Sequence, residues 1–127
     1  MIIHEVEQRS IPWLELRQTR ITATKFRTVA NGTHEGRETL CWNTAQNRIN
    51  RPAVVLEMPA SQAVQDGVDR EPQAIAQYSW ERDVEVQAVG FCEYSDYFGF
   101  SPDGLVGNEG GVEVKCPTLK TYSQYLK

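Results

Sequence analysis

Long apolar runs are missing from this 127-residue chain, and nothing in it approaches the roughly 18 consecutive apolar residues that a membrane helix needs. The opening Met1-Ile2-Ile3-His4-Glu5 lacks the charged and apolar regions of a secretory signal. A cytoplasmic protein without a membrane partner is therefore expected. Cysteine is scarce: Cys41, Cys92 and Cys116 are an odd number with no CxxC pair, which argues against a disulfide framework and against a zinc site. Three reduced, mostly buried thiols are expected. His4 and His34 stand apart in polar surroundings, and neither is expected to hold a metal. Repeats and disorder-prone tracts are absent as well, and 40% hydrophobic with 24% charged residues is the composition of an ordinary globular chain. The length suits a single domain spanning residues 1–127.

Charge is present but unevenly spread. The net charge is −4, yet residues 1–51 carry eight Lys/Arg against five acids, residues 52–112 two against eleven, and residues 113–127 three against one. A basic N-terminal segment beside an acidic middle gives one wall for phosphates and another for cations. Chance variation of solvated faces produces similar asymmetry.

From Ser10 to Asn31 the apolar positions Trp13, Leu14, Leu16, Ile21, Phe26 and Val29 indicate two short helices around a break at Thr19–Thr22. Thr22 or Thr24 is the expected N-cap of the second, since a hydroxyl there accepts an orphan amide bond. Glu35 to Ile49 reads as another helix ending at Asn50-Arg51-Pro52. A longer helical pattern begins at Pro59, and Pro72 is expected to kink it or to start a second helix, with Glu71 at the irregularity. After Trp80 the period falls to two. Val84 to Ala88, Val89 to Cys92, Tyr97 to Phe100, Leu105-Val106 and Val112 to Cys116 read as strands. Turns are expected at Ser101-Pro102-Asp103-Gly104 and Asn108-Glu109-Gly110-Gly111, and a helix over Thr118 to Lys127. Helices followed by a meander predict an α/β or α+β fold. Trp42 and Trp80 are expected in the core, while Tyr94, Tyr97 and Phe98 fit either a meander or the lining of a DNA channel.

The last strand carries the chemistry. Side chains alternate along a strand, so Glu113 and Lys115 share a face about 6 to 7 Å apart. Val112, Val114 and Cys116 then take the core face. A simple hairpin register sets Gly104 opposite Glu113, so Asp103 is expected to join the cluster only through a kink at the Pro-Asp-Gly turn. An Asp beside a Glu is relieved of repulsion by a hard cation, and Mg²⁺ binds through one or two carboxylates plus substrate phosphate. With a neighbouring lysine to orient or deprotonate water and to offset phosphate charge, the set suits phosphodiester hydrolysis. By spacing alone, an exposed Glu-Lys pair and an ordinary turn explain the same residues.

Ser101-Pro102-Asp103-Gly104-Leu105 followed by Val112-Glu113-Val114-Lys115-Cys116-Pro117 resembles the active-site segment of the phage lambda exonuclease family, the YqaJ-type viral recombinase nucleases of the PD-(D/E)xK superfamily. Trp13-x-x-x-Arg17 with Ile21-Thr22-Ala23-Thr24 resembles the N-terminal block of that family, and Gly67-x-x-x-Glu71-Pro72-x-Ala74-x-x-x-Tyr78 its central helix. The three blocks, in order, cover most of the chain. The resemblance implies an α/β restriction-endonuclease-like core, with N-terminal helices followed by a mixed sheet and antiparallel meander.

It also implies a Mg²⁺-dependent DNA exonuclease, with Mn²⁺ as the alternative ion, that digests duplex DNA from the 5′ end in phage-type recombination. Asp103 and Glu113 would be the metal carboxylates, the Val114 carbonyl a further ligand, Glu71 the additional acid and Lys115 the catalytic lysine. Arg17 would bind the terminal 5′-phosphate with help from the Thr24 hydroxyl. The implied partners are DNA, a single-strand annealing protein and further copies of the chain. Family members continue through helices beyond the Lys-Cys-Pro segment, so the chain is expected to lack C-terminal helices. A catalytically inactive DNA-binding or assembly remnant is the rival reading.

Overall fold

A computed structural model gives the structure of the protein and describes residues 1–54 and 61–126. The element order is β1 (Ile2–His4), α1 (Ile11–Gln18), β2 (Ile21–Thr22), α2 (Ala23–Asn31), α3 (His34–Asn50), α4 (Gln62–Arg82), β3 (Val86–Gln87), β4 (Phe91–Glu93), β5 (Phe98–Phe100), β6 (Gly104–Val106), β7 (Gly110–Val112) and α5 (Leu119–Tyr125). The described residues fall into two compact units, one of residues 1–54 with 89–102, the other of residues 61–88 with 103–126. Among them no helix is long and apolar enough to cross a membrane.

The first unit is built on a four-stranded sheet in the order β1-β4-β5-β2. β1 and β5 flank β4 in antiparallel fashion, and β2 runs parallel to β5 with Ile21 opposite Phe98. Its core is Phe91 and Cys92, both fully buried, with Val89 close behind. Gly99 is a glycine for a packing reason: a Cβ there would lie 2.2 Å from Phe91 Cζ, so the ring occupies the space that a side chain would need. Along the same face Glu93 accepts a hydrogen bond from His4 Nε2 at 2.9 Å and pairs with Arg20 at 2.6 Å. These partners, the His4 bond foremost, hold the Glu93 carboxyl below its ordinary pKa against the opposing effect of burial.

Three helices flank this sheet in sequence. The Ser10 hydroxyl caps α1 by accepting the Trp13 N–H, and Pro12 lies in the first turn, where its missing donor costs nothing. α2 begins after Thr22 as expected, but the Thr22 hydroxyl does not cap it; that group lies 3.0 Å from the Thr24 hydroxyl. α3 is capped by Thr33 and ends where Arg51 turns left-handed at φ 42° before Pro52.

The second unit joins α4 to the antiparallel sheet β3-β6-β7. α4 runs unbroken through Pro72, so no second helix starts there. The expected start at Pro59 lies outside the described residues. The hairpin between β6 and β7 turns at Gly107-Asn108-Glu109, with Gly107 at φ 57°. Gly110 and Gly111, expected in the turn, instead pair with Val106 and Leu105. The strand expected to reach Cys116 stops at Val112, and the one expected over Val84–Ala88 shortens to Val86–Gln87. α5 starts as foreseen, with the Thr118 hydroxyl accepting the Thr121 N–H.

Burial corrects three further expectations. Trp42 and Trp80 are 69% and 84% exposed, so neither belongs to the core. All three cysteines are free, but only Cys92 is buried. Cys116 is exposed beyond the end of β7, where Val112 and Val114 are only half-buried.

Candidate functional site

In the second unit, the chain bends at Asp103 just before β6, as the Pro-Asp-Gly turn led one to expect. Gly104 pairs with Val112 and Leu105 with Gly111, so one step further along the arms Asp103 falls opposite Glu113. The Asp103 N–H donates to the Val112 carbonyl at 3.0 Å, and the Asp103 carboxylate accepts the Val114 N–H through Oδ2 at 2.5 Å. Those two bonds hold the segment after β7 extended although its ladder has ended. Glu113 and Lys115 project outward, both exposed, and form an ion pair with each other.

That pair sets the state of the lysine. Its hydrogen bond to Glu113 raises the Lys115 pKa above its ordinary value, against a smaller effect of burial, and the fields of Glu113, Asp103 and Tyr125 add to the rise. Lys115 is an ammonium at neutral pH. An ammonium donates hydrogen bonds and offsets negative charge.

The donors gathered here are oxygens: the carboxylates of Asp103 and Glu113 and the peptide carbonyl of Val114. Hard cations prefer such a set. Among the described residues no three His, Cys, Asp or Glu side chains form one cluster, so Glu71, half-buried in α4 just before Pro72, is not drawn into a triad with Asp103 and Glu113. Mg²⁺ needs only one or two protein carboxylates when water and substrate phosphate complete its shell, so the residues present fit it.

In the first unit, Arg17 and Thr24 come together. Arg17 projects from α1 with its guanidinium carbon 4.3 Å from the centre of the Trp13 ring, which holds the side chain flat by cation–π attraction. From there Nη1 donates to the Ser101 hydroxyl at 3.3 Å and Nη2 to the Thr24 hydroxyl at 3.4 Å. Trp13 is itself fixed, since its indole N–H is shared between the Ser101 hydroxyl at 2.9 Å and the Gly90 carbonyl at 3.1 Å. Among the described residues no carboxylate pairs with Arg17. Burial lowers its pKa from the ordinary value, as it does for Lys25, which is lowered further by the charge of Arg17. Arg17, partly desolvated and facing the Ser101 and Thr24 hydroxyls, forms a seat for an anion with the charge of Lys25 nearby, whose Nζ donates to the Arg20 carbonyl at 3.5 Å.

Two members of this seat, Ser101 and Lys25, were not foreseen. Each stood next to a recognisable block, Lys25 directly after Ile21-Thr22-Ala23-Thr24 and Ser101 at the head of Ser-Pro-Asp-Gly. Only the tertiary structure sets them against Arg17.

Comparison with known proteins gives the family and the fold. The model of the YqaJ-like viral recombinase domain matches residues 12–127. Among solved structures, the alkaline exonuclease LHK-Exo from Laribacter hongkongensis is similar with a TM-score of 0.72 and 28% identity, over 92% of this chain and 58% of that one. LHK-Exo in complex with dAMP gives the same values. The chain therefore spans less than two thirds of the length of that relative, and its helices and mixed strands belong to the restriction-endonuclease-like α/β class. A search of curated proteins gives no match. With a family model matched over nearly its whole length, the chain belongs to the YqaJ-like viral recombinase family.

Proposed function

We propose that the chain is a Mg²⁺-dependent DNA exonuclease domain that digests one strand of duplex DNA from a 5′-phosphorylated end during phage-type recombination. The observation that carries this reading is the tie between Asp103 and the Glu113-Val114-Lys115 segment, which sets two carboxylates and an ammonium on one hairpin end. Family membership supports it, as does a similar alkaline exonuclease solved with dAMP, a deoxynucleoside monophosphate of the kind such an enzyme releases.

Asp103 and Glu113 would hold the ion, Mg²⁺ or alternatively Mn²⁺, with the Val114 carbonyl as a further donor. When bound, such an ion acts as a Lewis acid and lowers the pKa of water. The residues of the chain do the rest. Lys115, kept as an ammonium by Glu113, offsets charge gathering on the phosphoryl oxygens. Arg17, Thr24, Lys25 and Ser101 seat the terminal phosphate and set the polarity of digestion. A single-strand annealing protein, further copies of the chain and a cytoplasmic setting belong to the same reading.

The test is digestion of linear duplex DNA with 5′-phosphorylated ends, with chelator and Lys115→Ala as controls. Mononucleotide release that needs both the metal and Lys115 is expected. Wild-type rates from Lys115→Ala or Glu113→Ala would sink the assignment. Because the chain spans 58% of LHK-Exo, a second reading is a non-catalytic DNA-binding or assembly module. Metal-independent DNA binding without turnover would favour it.

A further inference from the structure

We propose a second DNA contact in the first unit: a basic cleft at the C-terminal ends of α1 and α3 that takes the sugar–phosphate backbone of the duplex. It rests on the DNA reading above for the identity of its ligand, but on different residues. The cleft has a volume of about 630 Å³ and is walled by Arg20, Arg48 and Arg51 with Leu16, Pro52 and one acid, Glu15, among its other residues. Arg17 is not among its walls.

The three arginines differ in how their charge is used. Arg20 is neutralised by Glu93 at 2.6 Å. Arg48 is fixed but not neutralised, because its Nη1 donates to the backbone carbonyls of Thr19 and Asp96 and its guanidinium lies 4.8 Å from the centre of the Tyr97 ring. Carbonyls and a ring aim a guanidinium without cancelling its charge. Arg51 is exposed at the left-handed end of α3. Among the described residues neither Arg48 nor Arg51 has a carboxylate at ion-pair distance.

A chain with net charge −4 thus keeps two uncompensated cations three residues apart in one cleft. Two charges in a row suit a repeating anion, and apolar Leu16 and Pro52 beside them suit the sugars between phosphates. The cleft carries no base-reading pattern, so its contribution is independent of sequence and screened by salt.

The experiment is binding of a short blunt duplex with 5′-hydroxyl ends, in chelator, followed by fluorescence anisotropy across a salt series. Each phosphate contact contributes about 0.9 to the slope of log K against log salt, so the R48Q/R51Q variant should flatten the slope by about 1.8. R48K/R51K, which keeps the charges, should restore it. A wild-type slope in a folded R48Q/R51Q chain overturns the proposal, and so does a flattened slope that lysine does not restore. Competition by inorganic phosphate or dAMP that R51Q abolishes, with the slope intact, would make this a small-anion pocket and likewise overturn it. A chain that binds through the cleft yet cuts nothing would sink only the nuclease reading; one that cuts with an unchanged slope would sink only the cleft.

Discussion

Asp103 holds two positions at once, and two substitutions separate them. Its carboxylate accepts the Val114 N–H, and that bond is part-buried. A hydrogen bond to a charged group contributes about 1.5–3 kcal/mol, and partial solvation places this one toward the lower end. Asp103→Ala removes the acceptor and leaves the Val114 amide without it, so a loss of about 2 kcal/mol is expected. For a chain of this size that is a fall in melting temperature of roughly 8 °C. Asp103→Asn keeps a carbonyl oxygen of the same reach and loses only the charge, so its stability cost should be below about 1 kcal/mol. Both variants should be inactive, because an amide neither balances the Lys115 ammonium nor holds a hard cation well. Thermal unfolding of the two variants beside digestion of duplex DNA measures the separation. Equal melting temperatures for Ala, Asn and wild type would refute the structural half of the argument; an Asn variant cutting at the wild-type rate would refute the chemical half.

Other expectations follow from the same geometry. Arg17→Ala should weaken use of 5′-phosphorylated ends by about 10- to 150-fold, the equivalent of one charge-assisted bond, while 5′-hydroxyl ends change little; equal losses on both would remove Arg17 from the phosphate seat. Phe91→Ala should cost about 3–5 kcal/mol in urea unfolding, since the ring is fully buried against Gly99, and a smaller loss would mean that the core collapses around the gap. Glu93 has a folded pKa below its unfolded value of about 4.3, so its stabilisation is complete above that value and is lost as the pH falls through the folded one. Stability of Glu93→Gln measured against pH should therefore lie below wild type at neutral pH and converge with it in acid.

What could be read from the sequence was local. Apolar spacing after Ser10, the run Glu35 to Ile49 closed by Pro52, and the break at Pro117 before Thr118 marked α1, α3 and α5, so these were legible. β1 and β2 were not, because strands of three and two residues have no period to detect and exist through pairing with β4 and β5. Glu113 and Lys115 were correctly turned to the exposed face, but the reason was incomplete. Their segment is held by Asp103 rather than by a ladder. The position of Asp103 depended on where the chain reverses, and Gly107 at positive φ reverses it one residue earlier than the Asn-Glu-Gly-Gly run indicated. Trp42 and Trp80 were misjudged because helical spacing shows which residues share a face and leaves open whether anything covers that face.

The hairpin of β6 and β7 makes the site a matter of parity. Side chains alternate, so one residue gained or lost inside β7 would turn Glu113 and Lys115 to the opposite face, and one gained or lost inside β6 would take Asp103 out of line with them. The loop at Asn108 is under no such constraint, since residues added there leave the count along both arms unchanged. Only length changes at the tip thus preserve the site, and a relative with an odd-numbered change within an arm would lack the arrangement even with every acidic residue and the lysine still in its sequence.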